Sequence, residues 1–422
     1  MSLYEPADGI LETHVTWEDI EKDMQFSFGT NATFGENKRA TNISDLKGYM
    51  SRIALIEADW IGAEEKEKLP QKFAVKISSQ IPLFTISKIL KFDGDKGFSD
   101  DKMKQLGKLT RECHNREVET YKLLMKFNHP DIPFTKVHGF KKFTSHDDLK
   151  GYLILDFVEN VHTVGMYKSI PADDLVSLVR GIATFAALGE TLSVEEKQFA
   201  GGPEYLELAF GEIFEKASLE KTFESLYQVF SEEHHNKVDK LIEVFGVYQS
   251  ILNKYSKISE TLGFKLVLNH GDLWQSNMIH TLDKDGKLRL EAMIDWQSTS
   301  SLPPGLDTSR LMLGCFSARD RRERGMEFLK LYYDTFTKVL GREHFKFQEL
   351  LDSYNLYFPM AAMLIVPGMM PFIENSQLPE KEKEEVKKEA LLKITAIMED
   401  VIDIHGYNVE KYPDFMKMPN LE

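Results

Sequence analysis

At 422 residues, 42% apolar and 28% charged, the chain has room for two or three globular domains and an ordinary soluble composition. Its net charge of −15, with Lys and Arg dispersed among Asp and Glu, removes nucleic acid as an expected partner. Two cysteines, Cys113 and Cys315, exclude a disulfide framework, fit a reducing compartment and read as small buried apolar residues.

Met1 to Pro6 carries neither a basic nor an apolar segment, so a cytoplasmic location without a secretory signal is expected. Thr16 then caps a helix starting at Trp17. From about residue 43 to 160 the pattern is mostly strand: Ser51–Trp60, Lys72–Ile77, Thr135–Phe143 and Tyr152–Val158, interrupted by one helix, roughly Met103–Phe127. Past residue 170 helical periodicity covers Ala172–Leu188, Pro203–Ser218, Leu219–Phe230, Asn236–Leu262, then Arg319–Leu340 and beyond. The most apolar stretch, Phe358–Phe372, is broken by Pro367 and Gly368 and falls short of the roughly 20 residues of a spanning helix, so it reads as core or pocket lining and no membrane insertion is expected. Glu380–Lys388 reads as the solvated face of a terminal helix. The fold class expected is α+β, two-lobed and protein-kinase-like: a small β-rich lobe over 1–158 and a large, mostly helical lobe over 159–422 that holds a catalytic hairpin.

That hairpin carries the chemistry. His270-Gly271-Asp272-Leu273-Trp274-Gln275-Ser276-Asn277 fits H-x-D-L-x-x-x-N, the loop in which an Asp takes the proton of an attacking hydroxyl and an Asn holds magnesium. Asn277–Leu282 reads as a strand, Asp283-Lys284-Asp285-Gly286 as a turn, and Leu288–Ile294 as the returning strand ending at Asp295, a second metal ligand. A leaving phosphoryl group is densely anionic, so it calls for hard oxygen ligands on Mg²⁺ and one carboxylate free to meet the acceptor.

The phosphates need a cation upstream. Phe73-Ala74-Val75-Lys76-Ile77 fits the strand-borne V-A-I-K pattern, with Lys76 paired to a Glu of the next helix. Glu117 is the choice, with Glu119 still open; Glu119 reads as solvated. Gly48 and Ser51, in Asp45-Leu46-Lys47-Gly48-Tyr49-Met50-Ser51, are the candidates for covering phosphate, and Asp156 and Val158 for facing adenine with backbone groups.

With these segments in order, the chain resembles the ecdysteroid-kinase-like, or choline-kinase-like (CHK), family of the aminoglycoside phosphotransferase superfamily, in its nematode branch. Glu117-Val118-Glu119-Thr120-Tyr121, Leu153-Ile154-Leu155-Asp156-Phe157, the His270–Asn277 loop, Ile294-Asp295-Trp296-Gln297 and Gly305-Leu306-Asp307 carry the resemblance, over about residues 40 to 400. It implies an ATP- and Mg²⁺-dependent kinase for a small-molecule hydroxyl, with Asp272 as base, Asn277 and Asp295 as metal ligands, Lys76 on phosphate with Glu117 as its partner, and Asp307 bracing the catalytic loop. Ala183-Thr184-Phe185-Ala186-Ala187 departs from a common His-Ala pair, and Leu155 from a common Glu.

Only eleven residues, 296–306, separate Asp295 from Asp307, and no A-P-E follows, which disfavours a protein kinase and its peptide platform; no protein partner is expected. The acceptor is read as a bulky, sterol-like alcohol, against choline or ethanolamine held by Trp274 and Trp296. A non-catalytic nucleotide-binding pseudo-kinase, suggested by the irregular glycine loop, and a metallohydrolase using His270, Asp272 and His280 are the other readings. His234-His235 and His138 with His146 read as solvated loop residues.

Overall fold

The computed structural model describes residues 2–44, 49–62, 69–89, 96–203, 226–374, 376 and 378–419. It divides into two compact units, Met1–Asn128 with Phe134–Val161 and Glu291–Gln297, and His129–Pro133 with His162–Leu290 and Ser298–Glu422.

The first unit is built on an antiparallel sheet. Helix α1 (Trp17–Phe28) starts at Thr16 through a reciprocal box in which Thr16 and Asp19 bond each other's backbone N–H. Strands β1 (Thr33–Phe34), β2 (Arg39–Asn42), β3 (Ser51–Glu57), β4 (Trp60–Ile61) and β5 (Lys72–Ser78) follow. Helices α2 (Ile81–Ile89) and α3 (Asp100–Phe127) precede β6 (Val137–Lys141) and β7 (Tyr152–Asp156). The five-stranded sheet runs β2-β3-β5-β7-β6. β5 shows why the period of two matters. Phe73, Val75 and Ile77 have no exposed surface and join a core with Ile20, Met24 and Ile154. Lys76 therefore points to the opposite face. In α3, Met103, Thr110, Cys113, Glu117, Tyr121 and Leu124 are buried at helical spacing, so Glu117 lies on the inner stripe.

The second unit is helical. Its main helices are α4 (Val176–Gly189), α5 (His235–Ser250), α6 (Gly305–Cys315), α7 (Ala318–Leu340), α8 (Phe347–Glu374) and α9 (Glu380–Lys411). Between α5 and α6 in the chain lie β8 (Val267–Asn269), β9 (Met278–Leu282), β10 (Leu288–Met293, whose residues from Glu291 on belong to the first unit) and β11 (Ser300–Leu302), with β8 and β11 antiparallel. The turn after β9 closes as expected, Asp283 donating to the Lys287 carbonyl and Gly286 to that of Asp283. α6 lies so close on α8 that a Cβ on Gly305 would meet Ser353 backbone at 2.1 Å.

Several expectations need correction. Two helices rather than one interrupt the strands, since α2 (Ile81–Ile89) precedes α3, and His235 opens α5, part-buried, rather than lying in a solvated loop. The helix expected over Asn236–Leu262 is α5 followed by short helices Leu252–Tyr255 and Ile258–Leu262; Ser250 and Ser256 turn their hydroxyls back onto Val247 and Asn253 carbonyls, competing with continuation. Pro367 and Gly368 do not break the apolar stretch, which runs inside α8. Phe358, Val366 and Met369 are wholly buried there, and burial outweighs propensity. His138 is not a solvated loop residue: it is buried on β6, its Nε2 2.5 Å from Asp156 Oδ1. Apart from Pro203 and the segment from Leu226 on, the expected helices over Pro203–Ser218 and Leu219–Phe230 lie outside the described residues. Among the described residues, no helix is long and apolar enough to cross a membrane.

Candidate functional site

In the first unit, β5 and α3 bring a lysine and a glutamate together in the interior. Lys76 Nζ donates to both Glu117 oxygens at 2.8 and 2.7 Å and to Asp295 Oδ1 at 2.5 Å. It is Glu117 that meets the lysine; Glu119 instead accepts from Lys122 at 2.9 Å and Lys142 at 2.7 Å. Burial pulls the Lys76 ammonium toward deprotonation, but the charges of Asp295 and Glu117 outweigh it and hold the group firmly cationic. Burial pushes the Glu117 carboxyl up, opposed by Lys76, reinforced by Asp295 and opposed again by the Trp296 backbone N–H.

Asp295 is the most exposed of the three, its side chain 26% accessible against 11% for Lys76 and 1% for Glu117. Its φ of 64° is left-handed, a conformation that Asp tolerates through its short polar side chain. Oδ2 accepts a longer bond, 3.4 Å, from Gln297 Nε2. The turn is fixed by Trp296, which has no exposed surface and donates Nε1 to the Met293 carbonyl, and by Arg116, which donates to the Gln297 carbonyl at 3.1 Å.

In the second unit, Asp272 sits on a loop braced from behind. Asp307, in the first turn of α6, accepts the His270 N–H at 2.6 Å and the Gly271 N–H at 2.9 Å. Burial raises the Asp307 carboxyl, against the pull of His270 and of those two N–H groups. Gly271 is required: its φ is 85°, and a Cβ would stand 2.0 Å from the Ser298 carbonyl oxygen. Asn277 donates Nδ2 to the Asp272 carbonyl at 2.7 Å and to Oδ2 at 3.0 Å. Arg310 Nη1 stands 2.5 Å from Oδ1. Sequence reading missed Arg310. The signal was available, since Asp307 and Arg310 are three apart and share one face of α6.

Ser51 opens β3, buried and paired in register with Ser78. Gly48 lies outside the described residues. The Asp156 amide donates to the Lys136 carbonyl and its carboxylate meets His138. Val158 is half-buried just past β7. His270 Nδ1 accepts the Asp272 N–H at 3.3 Å, and His280 Nε2 is buried without a hydrogen-bond partner. Among the described residues no group of three or more His, Cys, Asp or Glu is placed to hold a metal, which leaves the metallohydrolase reading without a ligand set.

A family profile described as DUF1679, "Uncharacterized oxidoreductase dhs-27", matches residues 3–409. The chain belongs to this family. It is 34% identical over 102 residues to a Caenorhabditis elegans protein described as "Uncharacterized kinase-like protein D1044.1"; the match covers 24% of this chain and 26% of that one, so the chain spans about a quarter of that relative's length. Two solved structures similar to it are the GDP complex of wild-type aminoglycoside 2′-phosphotransferase-IIIa and a Plasmodium vivax ethanolamine kinase. The first is 11% identical, covering 91% of this chain and 98% of that one, with a TM-score of 0.44. The second is 14% identical, covering 86% and 82%, with a TM-score of 0.42.

His114, on α3, gives the first unit a pH signature. Its Nε2 bonds the Lys141 carbonyl at 2.8 Å, and burial, with Lys76 adding repulsion, lowers its pKa to about 4. The folded state holds His114 neutral while the unfolded chain binds a proton near pH 6.5. Its contribution is therefore present above that pH and lost as pH falls toward 4, in all about 3 kcal/mol. Urea denaturation at pH 7 and pH 4.5 should show His114→Gln losing less stability on acidification than the wild type. Equal losses would remove His114 as the cause.

Proposed function

We propose that the chain is an ATP-dependent phosphotransferase acting on a hydroxyl of a small-molecule alcohol. The observation that carries this is the buried Lys76–Glu117 ion pair reaching Asp295, because a strand lysine paired to a helix glutamate is the device that positions nucleotide phosphates in kinases. Lys76 would contact phosphate. Asp295 and Asn277 offer carboxylate and amide oxygens, the hard donors that Mg²⁺ prefers. Asn277 commits its nitrogen to Asp272, so its amide oxygen is the atom with which it would meet the cation. Magnesium, when bound, supplies charge neutralisation on the transferred group. Asp272 accepts the acceptor's hydroxyl proton, held in one orientation by Asn277 and Arg310.

A sterol-like acceptor is the finer reading. The core residues of the Phe358–Phe372 stretch, Phe358, Val366 and Met369, lend it no support, being wholly buried in α8. The charge balance does. Arg310 neutralises Asp272 and Trp296 is fully buried, which removes two seats for a cation such as choline and leaves part-exposed Trp274 as the aromatic one. The word oxidoreductase in the family description finds no nicotinamide fingerprint here, since no two glycines in the chain stand two residues apart as G-x-G-x-x-G demands.

Calorimetric titration with Mg·ATP, followed by ADP release over a panel of sterols, choline and ethanolamine, tests the reading. Mg·ATP binding with turnover on an apolar alcohol is expected. Tight binding without turnover on any hydroxyl compound would convert the protein into a non-catalytic nucleotide-binding module, and absence of binding would end the proposal.

A further inference from the structure

Gln275 lies between Asp272 and Asn277, and its side chain is anchored in an unusual way. Only 2% exposed, it donates Nε2 to the Lys168 carbonyl at 2.9 Å and to the Gly314 carbonyl at 2.5 Å. Both carbonyls are shared. Lys393, on α9 and more than a hundred residues further along the chain, donates Nζ to Lys168 at 3.1 Å, to Gly314, and to Met166 at 3.1 Å. One ammonium thus binds three backbone oxygens, two of which also seat the loop glutamine.

Gly314 stands one residue from the end of α6, where the last carbonyls lack partners within the helix and carry the negative end of its dipole. A lysine there satisfies an orphan acceptor and complements the dipole. The same helix supplies Asp307 to the His270 and Gly271 N–H groups and Arg310 to Asp272. α6 therefore holds the loop at its start, its middle and its end, and Lys393 fixes the third point.

We propose that Lys393 is a positioning residue for the Asp272–Asn277 loop, acting through the two carbonyls it shares with Gln275. Its effect on turnover rests on the phosphotransferase reading; its effect on loop order does not. Titration adds a handle. Burial pulls the Lys393 ammonium down to about 8, with Arg321 adding repulsion and Glu389 opposing it. Burial raises the Cys315 thiol to about 12, so it stays neutral across this window. Above pH 8 a neutral amine has two protons for three carbonyls and loses the charge-assisted part of each bond.

Hydrogen–deuterium exchange on the full chain tests this without any substrate. Lys393→Met is expected to raise exchange in residues 272–277 by about tenfold, with α1 unchanged; Lys393→Arg should restore protection. Gln275→Ala should loosen the same segment, and the double variant should add little to either single change. In the wild type, protection of 272–277 corrected for intrinsic rates should fall between pH 7 and 9; in Lys393→Arg it should not. If Lys393→Met does not fold, Lys393→Gln, which keeps an amide donor, serves in the same comparisons. Loosening confined to α9, or additive effects of the two substitutions, would overturn the proposal. Where an acceptor is found, kcat should show an alkaline limb near pH 8 that Lys393→Arg removes, with KM unchanged. A protein with no turnover but with these exchange effects would refute the phosphotransferase reading and leave the positioning role standing.

Discussion

Replacing Asp272 by Asn is expected to lower kcat by about 10²- to 10⁴-fold while leaving Mg·ATP affinity within about threefold. The substitution keeps the shape of the side chain and removes its ability to take a proton. Nucleotide affinity survives because Asn277 is held twice, once by the Asp272 side chain and once by the Asp272 backbone carbonyl at 2.7 Å. The second bond persists in the variant and keeps the Asn277 amide in its present orientation. A local penalty is unavoidable, since Arg310 and Asn277 both donate to a carboxylate that becomes an amide with one acceptor oxygen. One donor loses its partner, at about 1–3 kcal/mol, so denaturation has to accompany the kinetics. A variant that keeps wild-type turnover would show that Asp272 is not the base. One that loses ATP affinity as steeply as kcat would move Asp272 to the metal instead.

Much of this site was legible because its residues sit in short patterns with a physical reason for each spacing. The apolar alternation around Lys76 puts an ammonium on the face opposite Phe73, Val75 and Ile77, and a buried ammonium calls for a countercharge, which comes from α3 rather than from α2, the next helix in the chain. Choosing between Glu117 and Glu119 depended on which stripe of α3 turns inward, which the position of Tyr121 one turn on from Glu117 signalled. Arg310 and Lys393 were hidden for a different reason. Each acts on a partner distant in the chain, and apart from the face of α6 that Arg310 shares with Asp307, nothing local marks a helix cation as facing another loop rather than solvent. Local propensity failed where burial decides: Pro367 lies inside a continuous helix because the apolar residues around it are enclosed, and His138 is paired with Asp156 rather than solvated. The short strands β8 and β11 also left no trace in the sequence, since three residues are too few for a period to emerge.

The second large effect is expected at Asp295. Asp295→Asn should weaken Mg·ATP binding by about 100-fold or more, since on the proposed reading it would remove a charged oxygen donor from the cation. Asn is a cleaner choice than Ala, because it tolerates the φ of 64° that Asp295 adopts whereas Ala adds backbone strain of about 1–2 kcal/mol. The fold should not suffer in proportion. Lys76 faces two carboxylates, and losing one leaves a balanced buried pair with Glu117, whose proton affinity drops once the repulsion from Asp295 is gone. Lys76→Met is the opposite case. It abandons Glu117 and Asp295 without their cation and should destabilise the first unit by about 3–5 kcal/mol, the usual result of breaking a buried pair from one side. Calorimetry with Mg·ATP and urea denaturation therefore separate the two substitutions: affinity lost with stability kept at position 295, and both lost at position 76. Wild-type Mg·ATP affinity in Asp295→Asn would remove Asp295 from the metal, and with it the reason for a lysine, a glutamate and an aspartate to meet in the interior of the first unit.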